Sequence, residues 1–145
     1  MQYQRFGFLV AVHAFFIKNN SVLLLERKNT GYWDGHFSVP AGHVDGGETI
    51  EAAVKREITE ETGITIEHPL EPIHVMHRIV SPTEERIDYF FVINEWEGEP
   101  KNTEPEKCAQ LKWVPLGELP SNTVPYIQQA LKKLQDQSTF SEFSE

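Results

Sequence analysis

The sequence predicts an α/β fold, a mixed β-sheet with helices on its faces, and three observations carry that expectation. Several short runs are dense in β-branched, aromatic and leucine residues, as strands are. One stretch in the middle of the chain has helical spacing and ends at a glycine. A second helical stretch follows Pro125.

In chain order, Phe6 to Ile17 and Val22 to Leu25 form a hairpin pattern around Asn19-Asn20-Ser21. Lys28 to His36, with Asn29, Thr30, Gly31, Asp34 and Gly35, reads as a loop, and Phe37 to Val39 as a short strand stopped by Pro40. Gly42 to Gly47 is a glycine-rich loop. Thr49 to Thr62 is the central helix, with Gly63 as its C-cap. Strands are expected near Ile73–Val80, Ile87–Trp96 and Leu111–Val114. The last helix places Val124, Ile127, Leu131 and Leu134 at helical spacing. The polar segment Ser138 to Glu145 is expected to fray, leaving residues 1–137 as one domain.

The chain has 145 residues, enough for one sizeable core. Its longest apolar run, Phe6 to Ile17, is interrupted by His13 and falls short of the roughly 20 residues a membrane helix needs. Residues Met1 to Arg5 lack a signal-peptide pattern, and Cys108 is the only cysteine, so no internal disulfide can form. A cytoplasmic protein is expected. A formal net charge of −9 argues against non-specific nucleic-acid binding, which relies on a basic surface. An anionic substrate would then need a local source of positive charge.

The central helix is unusual. At about 100° per residue, Ile50, Val54 and Ile58 form an apolar stripe. Glu57, Glu60 and Glu61 fill an arc that overlaps it. Carboxylates crowded beside a buried stripe repel one another and resist desolvation. A solvated acidic face is the common reading of a charge cluster, but here the arc sits against the stripe rather than opposite it, and a divalent cation would relieve the repulsion. Hard ions such as Mg²⁺ take oxygen ligands from a few carboxylates and from substrate phosphates.

Written out, the segment is Gly42-x5-Glu48-x7-Arg56-Glu57-Ile58-x-Glu60-Glu61-x-Gly63-Ile64. It resembles the complete box of the Nudix (MutT-like) hydrolase family. Chance would supply these nine positions on the order of once in 10⁸ chains of this length. Leu23 to Arg27, and Trp113 with Leu116 to Pro120, resemble the family's flanking strands, while Ala41 replaces a glycine that many members have. The resemblance implies a Nudix-like α/β/α sandwich and metal-dependent cleavage of a phosphoanhydride in a nucleoside-diphosphate-linked substrate.

By that resemblance, Gly42, Glu57, Glu60 and Glu61 are the ligands of Mg²⁺, with Mn²⁺ as the alternative, and Glu104, or Glu106 after it, completes the site. Arg56 and Glu48 look like the pair that braces loop against helix, and Glu57 is the favoured acceptor of the water proton. Candidate substrate contacts are Arg27 for phosphate, beside Lys28, and Tyr32, Trp33 and Phe37 for base stacking. Asn122 is a candidate for reading a purine, although capping of the last helix by it or Thr123 is the commoner role for such a residue. The histidines show no metal-site spacing, and His43 occupies a free position of the box.

A nucleoside triphosphate is the favoured substrate. No coenzyme A pattern is present, and Pro82 lies near but off the proline position of the family's ADP-ribose hydrolases. Alternatives are hydrolysis of a nucleotide sugar or ADP-ribose, a nucleotide-sensing module without catalysis, or isomerisation of a diphosphate. The resemblance also allows a homodimer.

Overall fold

In the computed structural model, residues 5–145 are described; Met1 to Gln4, part of the segment without a signal-peptide pattern, lie outside them. The elements are β1 (Leu9–Lys18), β2 (Ser21–Arg27), β3 (Phe37–Ser38), β4 (Ala41–His43), α1 (Ile50–Thr62), β5 (His74–Ser81), β6 (Glu84–Ile93), β7 (Cys108–Pro115), α2 (Pro125–Gln135) and β8 (Phe140–Ser144). The strands follow the order β3-β2-β1-β6-β5-β8, with β4 added on β1 and β7 on β2. β1 runs parallel to β6 and β5 parallel to β8, while the other pairs are antiparallel. The sheet is therefore mixed, as the sequence predicts.

Alternation along β1 divides the core. Val12, Ala14 and Phe16 point to one face, where they meet Ala53, Val54 and Ile58 of α1. Phe15 points to the other, where Tyr126, Ile127, Ala130 and Leu131 of α2 pack with Phe90, Met76 and Leu24. The apolar stripes of the two helices thus cover opposite faces, which gives the α/β/α layering.

Local signals explain where α1 starts and stops. The Thr49 hydroxyl accepts the Ala52 N–H at 3.0 Å. Gly63 takes φ 75°, a left-handed conformation that suits glycine, and its N–H closes on the Thr59 carbonyl at 3.0 Å. α2 begins differently: Pro125 opens it and no side chain caps it. Asn122 instead donates to the Gly35 carbonyl at 2.9 Å and the Thr123 hydroxyl donates to the Pro120 carbonyl at 2.7 Å, so the capping expectation for both is corrected.

Two elements depart from the sequence reading. Ala41-Gly42-His43 is a strand, paired with Ala11, Val12 and His13, where the glycine content predicts a loop. β1 supplies the hydrogen-bonding edge that this weak β-former lacks by itself. The segment from Ser138 onward does not fray: Phe140 to Ser144 pairs with Val75 to Ile79. Its inward residue Ser141 is buried and hydrogen-bonded to His74 at 2.7 Å, so a polar side chain occupies the core position that composition alone would assign to an apolar one.

A buried charge network fixes β5 to β6. The Arg78 guanidinium donates to both carboxylate oxygens of Asp88, at 2.8 and 3.1 Å, and His13 contacts the same carboxylate at 3.0 Å. Burial alone would raise the Asp88 carboxyl, but the bonds from His13 and Arg78 win and hold it well below the usual range. Burial pushes the His13 imidazole down, against the pull of Asp88. Because the folded-state value of Asp88 is depressed, its stabilisation is full above the unfolded value, near pH 4, and drains away as the pH falls below it. Asp88→Asn leaves Arg78 with Glu145 as its remaining carboxylate partner. The expected cost is about 3 kcal/mol in urea unfolding at pH 7, together with a flatter loss of stability on acidification than the parent shows.

Candidate active site

The site begins with the close approach of β4 to α1. A Cβ on Gly42 would overlap the Glu57 carboxylate, so any side chain there forces that carboxylate to move. Next to it, the Ala41 N–H donates to the Glu61 carboxylate at 2.8 Å. β4 therefore meets two of the helix glutamates, Gly42 against Glu57 and Ala41 against Glu61.

Arg56 ties this corner together. Its Nε and Nη2 reach the two Glu48 oxygens at 2.7 and 2.9 Å, a bidentate pair. Nη1 reaches Glu57 at 2.7 Å and Glu60 at 3.4 Å, and Nη2 also donates to the His43 carbonyl at 3.1 Å. The Arg56 bonds hold the Glu48 carboxyl down to about 2, so this brace remains charged at pH 4, where a free glutamate is about half protonated.

Glu57, Glu60, Glu61 and Glu104 line one cleft of about 490 Å³. Burial pushes the Glu61 carboxyl well above its ordinary value, and repulsion from Glu57 adds to the rise. Glu57 is raised as well, by burial first and by repulsion from Glu60 and Glu104, although Arg56 opposes the shift. Arg56 thus offsets the burial and repulsion at Glu57 only in part. Among the described residues, no three acidic, histidine or cysteine side chains stand together as a preformed metal cage. The donor set nevertheless fits a hard divalent ion: all oxygen, crowded, and open on the cleft side where phosphate oxygens can complete the coordination.

Other expected residues divide. Arg27 lines the cleft and also a second cavity of about 250 Å³ that shares Ala41 and His43 with it and that Tyr32 lines too. Of the two later glutamates, Glu104 lines the cleft, whereas Glu106 offers its backbone carbonyl to Asn29 at 3.2 Å. Lys28 extends to the Pro105 carbonyl at 3.4 Å. Phe37 is buried in the core and borders neither cavity, which corrects its assignment as a stacking residue. Trp33 packs against the same core with its indole N–H on Glu145, and Asn122 is committed to Gly35; neither borders these two cavities.

Sequence reasoning missed Lys107 in the cleft and His13, Arg86 and Tyr126 around the second cavity. Lys107 stands three positions past Glu104, and a turn brings both to the cleft, with the Lys107 N–H on the Glu104 carbonyl at 2.9 Å. His13 carried a signal, as a polar residue inside an apolar strand. Arg86 and Tyr126 carried none.

A carboxylate-lined cleft where a strand meets a helix of an α/β fold suits enzymes that handle phosphate compounds through a divalent ion. The chain belongs to the Nudix family: the NUDIX domain matches residues 7–134. It is a MutT-like Nudix hydrolase of the pyrophosphatase type, and members typically use a divalent metal. It is similar to the 8-oxo-dGTP diphosphatase of Escherichia coli, 29% identical over 81% of this chain and 90% of that protein. An ADP-ribose pyrophosphatase of Methanocaldococcus jannaschii is 51% identical, but over 38% of this chain and 32% of that protein, so the chain spans about a third of that relative. The crystal structure of a MutT NUDIX hydrolase from Burkholderia pseudomallei superposes with a TM-score of 0.79 at 30% identity, covering 87% of this chain and 97% of that one. Among the described residues, no helix is long and apolar enough to cross a membrane.

Gly42→Ala is expected to push the Glu57 carboxylate aside without unfolding the protein, because the clash falls on the far end of a flexible side chain. A displacement of about 1 Å at a reacting group can cost about 100-fold, so kcat should fall by about that factor while Tm stays within a few degrees. Steady-state kinetics and thermal unfolding on the same preparation check both halves.

Proposed function

We propose that the chain hydrolyses a nucleoside triphosphate to a nucleoside monophosphate and pyrophosphate, with Mg²⁺ as the cofactor and Mn²⁺ as a substitute. The observation that carries this reading is the crowding of Glu57, Glu60, Glu61 and Glu104 on one cleft that Arg27 also borders. The choice of a nucleoside triphosphate, and of a purine in particular, is supported by similarity along most of the chain to a relative named for 8-oxo-dGTP.

The Gly42 carbonyl and the carboxylates of Glu57, Glu60, Glu61 and Glu104 would hold the metal. When bound, it lowers the pKa of water and neutralises charge on the phosphate oxygens. The protein residues do the rest. Glu57, raised above an ordinary glutamate and fixed by Arg56, takes the proton from the attacking water. Water adds to one phosphorus, and a single bridging P–O bond breaks in line with the attack. Arg27 and Lys107 offer positive charge to phosphate oxygens at the cleft. Tyr32 forms a wall of the second cavity, and an aromatic face of this kind accepts a base. Arg56 and Glu48 keep the helix and the box loop in register.

ADP-ribose hydrolysis is the second reading, favoured by the short match to the archaeal relative. A panel of canonical and oxidised nucleoside triphosphates, ADP-ribose and a nucleotide sugar, each assayed with Mg²⁺ and with a chelator, separates the readings. The highest kcat/KM should fall on a purine nucleoside triphosphate and vanish on chelation. Preference for ADP-ribose would replace the first reading by the second, and ligand binding without any release of phosphate or nucleotide would make the chain a sensor. Glu61→Gln should lose most turnover, on the order of 100-fold or more. Its thermal stability should hold or rise, because a repelling charge is removed. Near-normal turnover in that variant would contradict the ligand role.

A further inference from the structure

We infer that Glu145 is a positioning residue for substrate binding, acting through Tyr32 and Arg27 on the cavity next to the carboxylate cleft. The inference rests on the nucleotide reading above.

The geometry is a relay of hydrogen bonds. Glu145 is the next residue after β8, and its N–H donates to the Ile79 carbonyl at 2.9 Å, which fixes its backbone to β5. One carboxylate oxygen accepts the Tyr32 hydroxyl at 3.0 Å and the Trp33 indole N–H at 3.2 Å. The other accepts from buried Arg78 at 3.2 Å. Arg78 also donates to the Tyr32 hydroxyl at 2.8 Å, so this phenol is held both as donor and as acceptor. From the backbone of the same residue, the Tyr32 carbonyl accepts the Arg27 Nε at 2.6 Å, and the Arg27 guanidinium stands 5.5 Å from the centre of the Tyr32 ring. Arg27 borders both cavities and Tyr32 borders the second. A substitution at Glu145 therefore reaches the substrate contacts without touching any carboxylate of the cleft.

The loop needs this external tie. Asp34 bonds Thr30 and Gly31, which shapes the loop from within but does not anchor it to the sheet. Trp33 has φ 54°, a left-handed conformation that is rare for a bulky side chain and persists where the surroundings over-determine it. The Glu145 contact to the indole is one such constraint. Asn122 on Gly35 and Asn29 on the Glu106 carbonyl tie the loop's ends, and Glu145 holds its middle together with Arg78 and Arg27 on Tyr32.

The test compares Glu145→Ala and Glu145→Gln in the full chain, by amide exchange over residues 30–35 and by steady-state kinetics on the nucleotide that the parent hydrolyses best. Glu145→Ala should speed exchange in the loop and raise KM about tenfold, with kcat within about twofold, the signature of lost uniform binding. Glu145→Gln should recover most of both, because its amide oxygen can still accept from Tyr32 and Trp33. Faster exchange with an unchanged KM, or a fall in kcat at constant KM, overturns the positioning role. Unchanged exchange in Glu145→Ala overturns the latch whatever the substrate, whereas a parent enzyme that turns over no nucleotide overturns the nucleotide reading and leaves exchange to decide the latch.

Discussion

Like charges forced together along one side of a helix govern the rest of this molecule. Glu57 and Glu61 cannot escape into solvent as a free acidic face would, while Glu60 beside them stays exposed, because Ile58 and Val54 on the same helix are packed into the sheet and fix its rotation. That packing directs Glu57 against Gly42 and Glu61 against the Ala41 N–H. Taking a carboxylate out of water costs several kcal/mol on the order of magnitude relevant to proteins. The raised values of Glu57 and Glu61 register that cost. The hydrophobic core thus maintains a polar arrangement that would not form on its own.

Arg56 and Arg78 meet the same electrostatic problem in two ways. Arg56 is partly exposed and spreads its donors over Glu48, Glu57 and Glu60, so it orders the site while leaving it short of positive charge. Arg78 is fully buried and matched oxygen by oxygen to Asp88, with His13 on the same carboxylate. One network is structural, with every oxygen of its carboxylate matched and the buried His13 Nδ1 left without a partner among the described residues. The other is incomplete on the cleft side, as a site that receives a charged ligand should be. Tyr32 links the Arg78 network to Arg27 at the cleft, bonding Arg78 through its hydroxyl and Arg27 through its carbonyl.

Periodicity and punctuation in the sequence were enough to determine much of the fold. The helix from Thr49 to Gly63 was legible because its cap, its stripe and its terminal glycine all act over one to four residues. The mixed sheet was legible because apolar runs separated by turn residues need only local chemistry. The glutamates and Gly42 were legible because the box is contiguous in the chain, and the helical repeat itself sets the glutamates side by side.

Long-range pairing decided the rest. Whether Ala41-Gly42-His43 is a loop or a strand depends on β1, some 30 residues away, offering its edge. Whether the residues after Ser138 hang free depends on β5, and on His74 being there to receive Ser141. Phe37, Trp33 and Asn122 look in the sequence like any aromatic or amide near a site; only the packing of α2 against the sheet turns Phe37 into core and commits Asn122 to Gly35. Local patterns are set by neighbours a few bonds away, so one sequence carries them in full. Contacts between residues such as Tyr32 and Glu145 exist only once the whole sheet has assembled, and no short window of the chain encodes them.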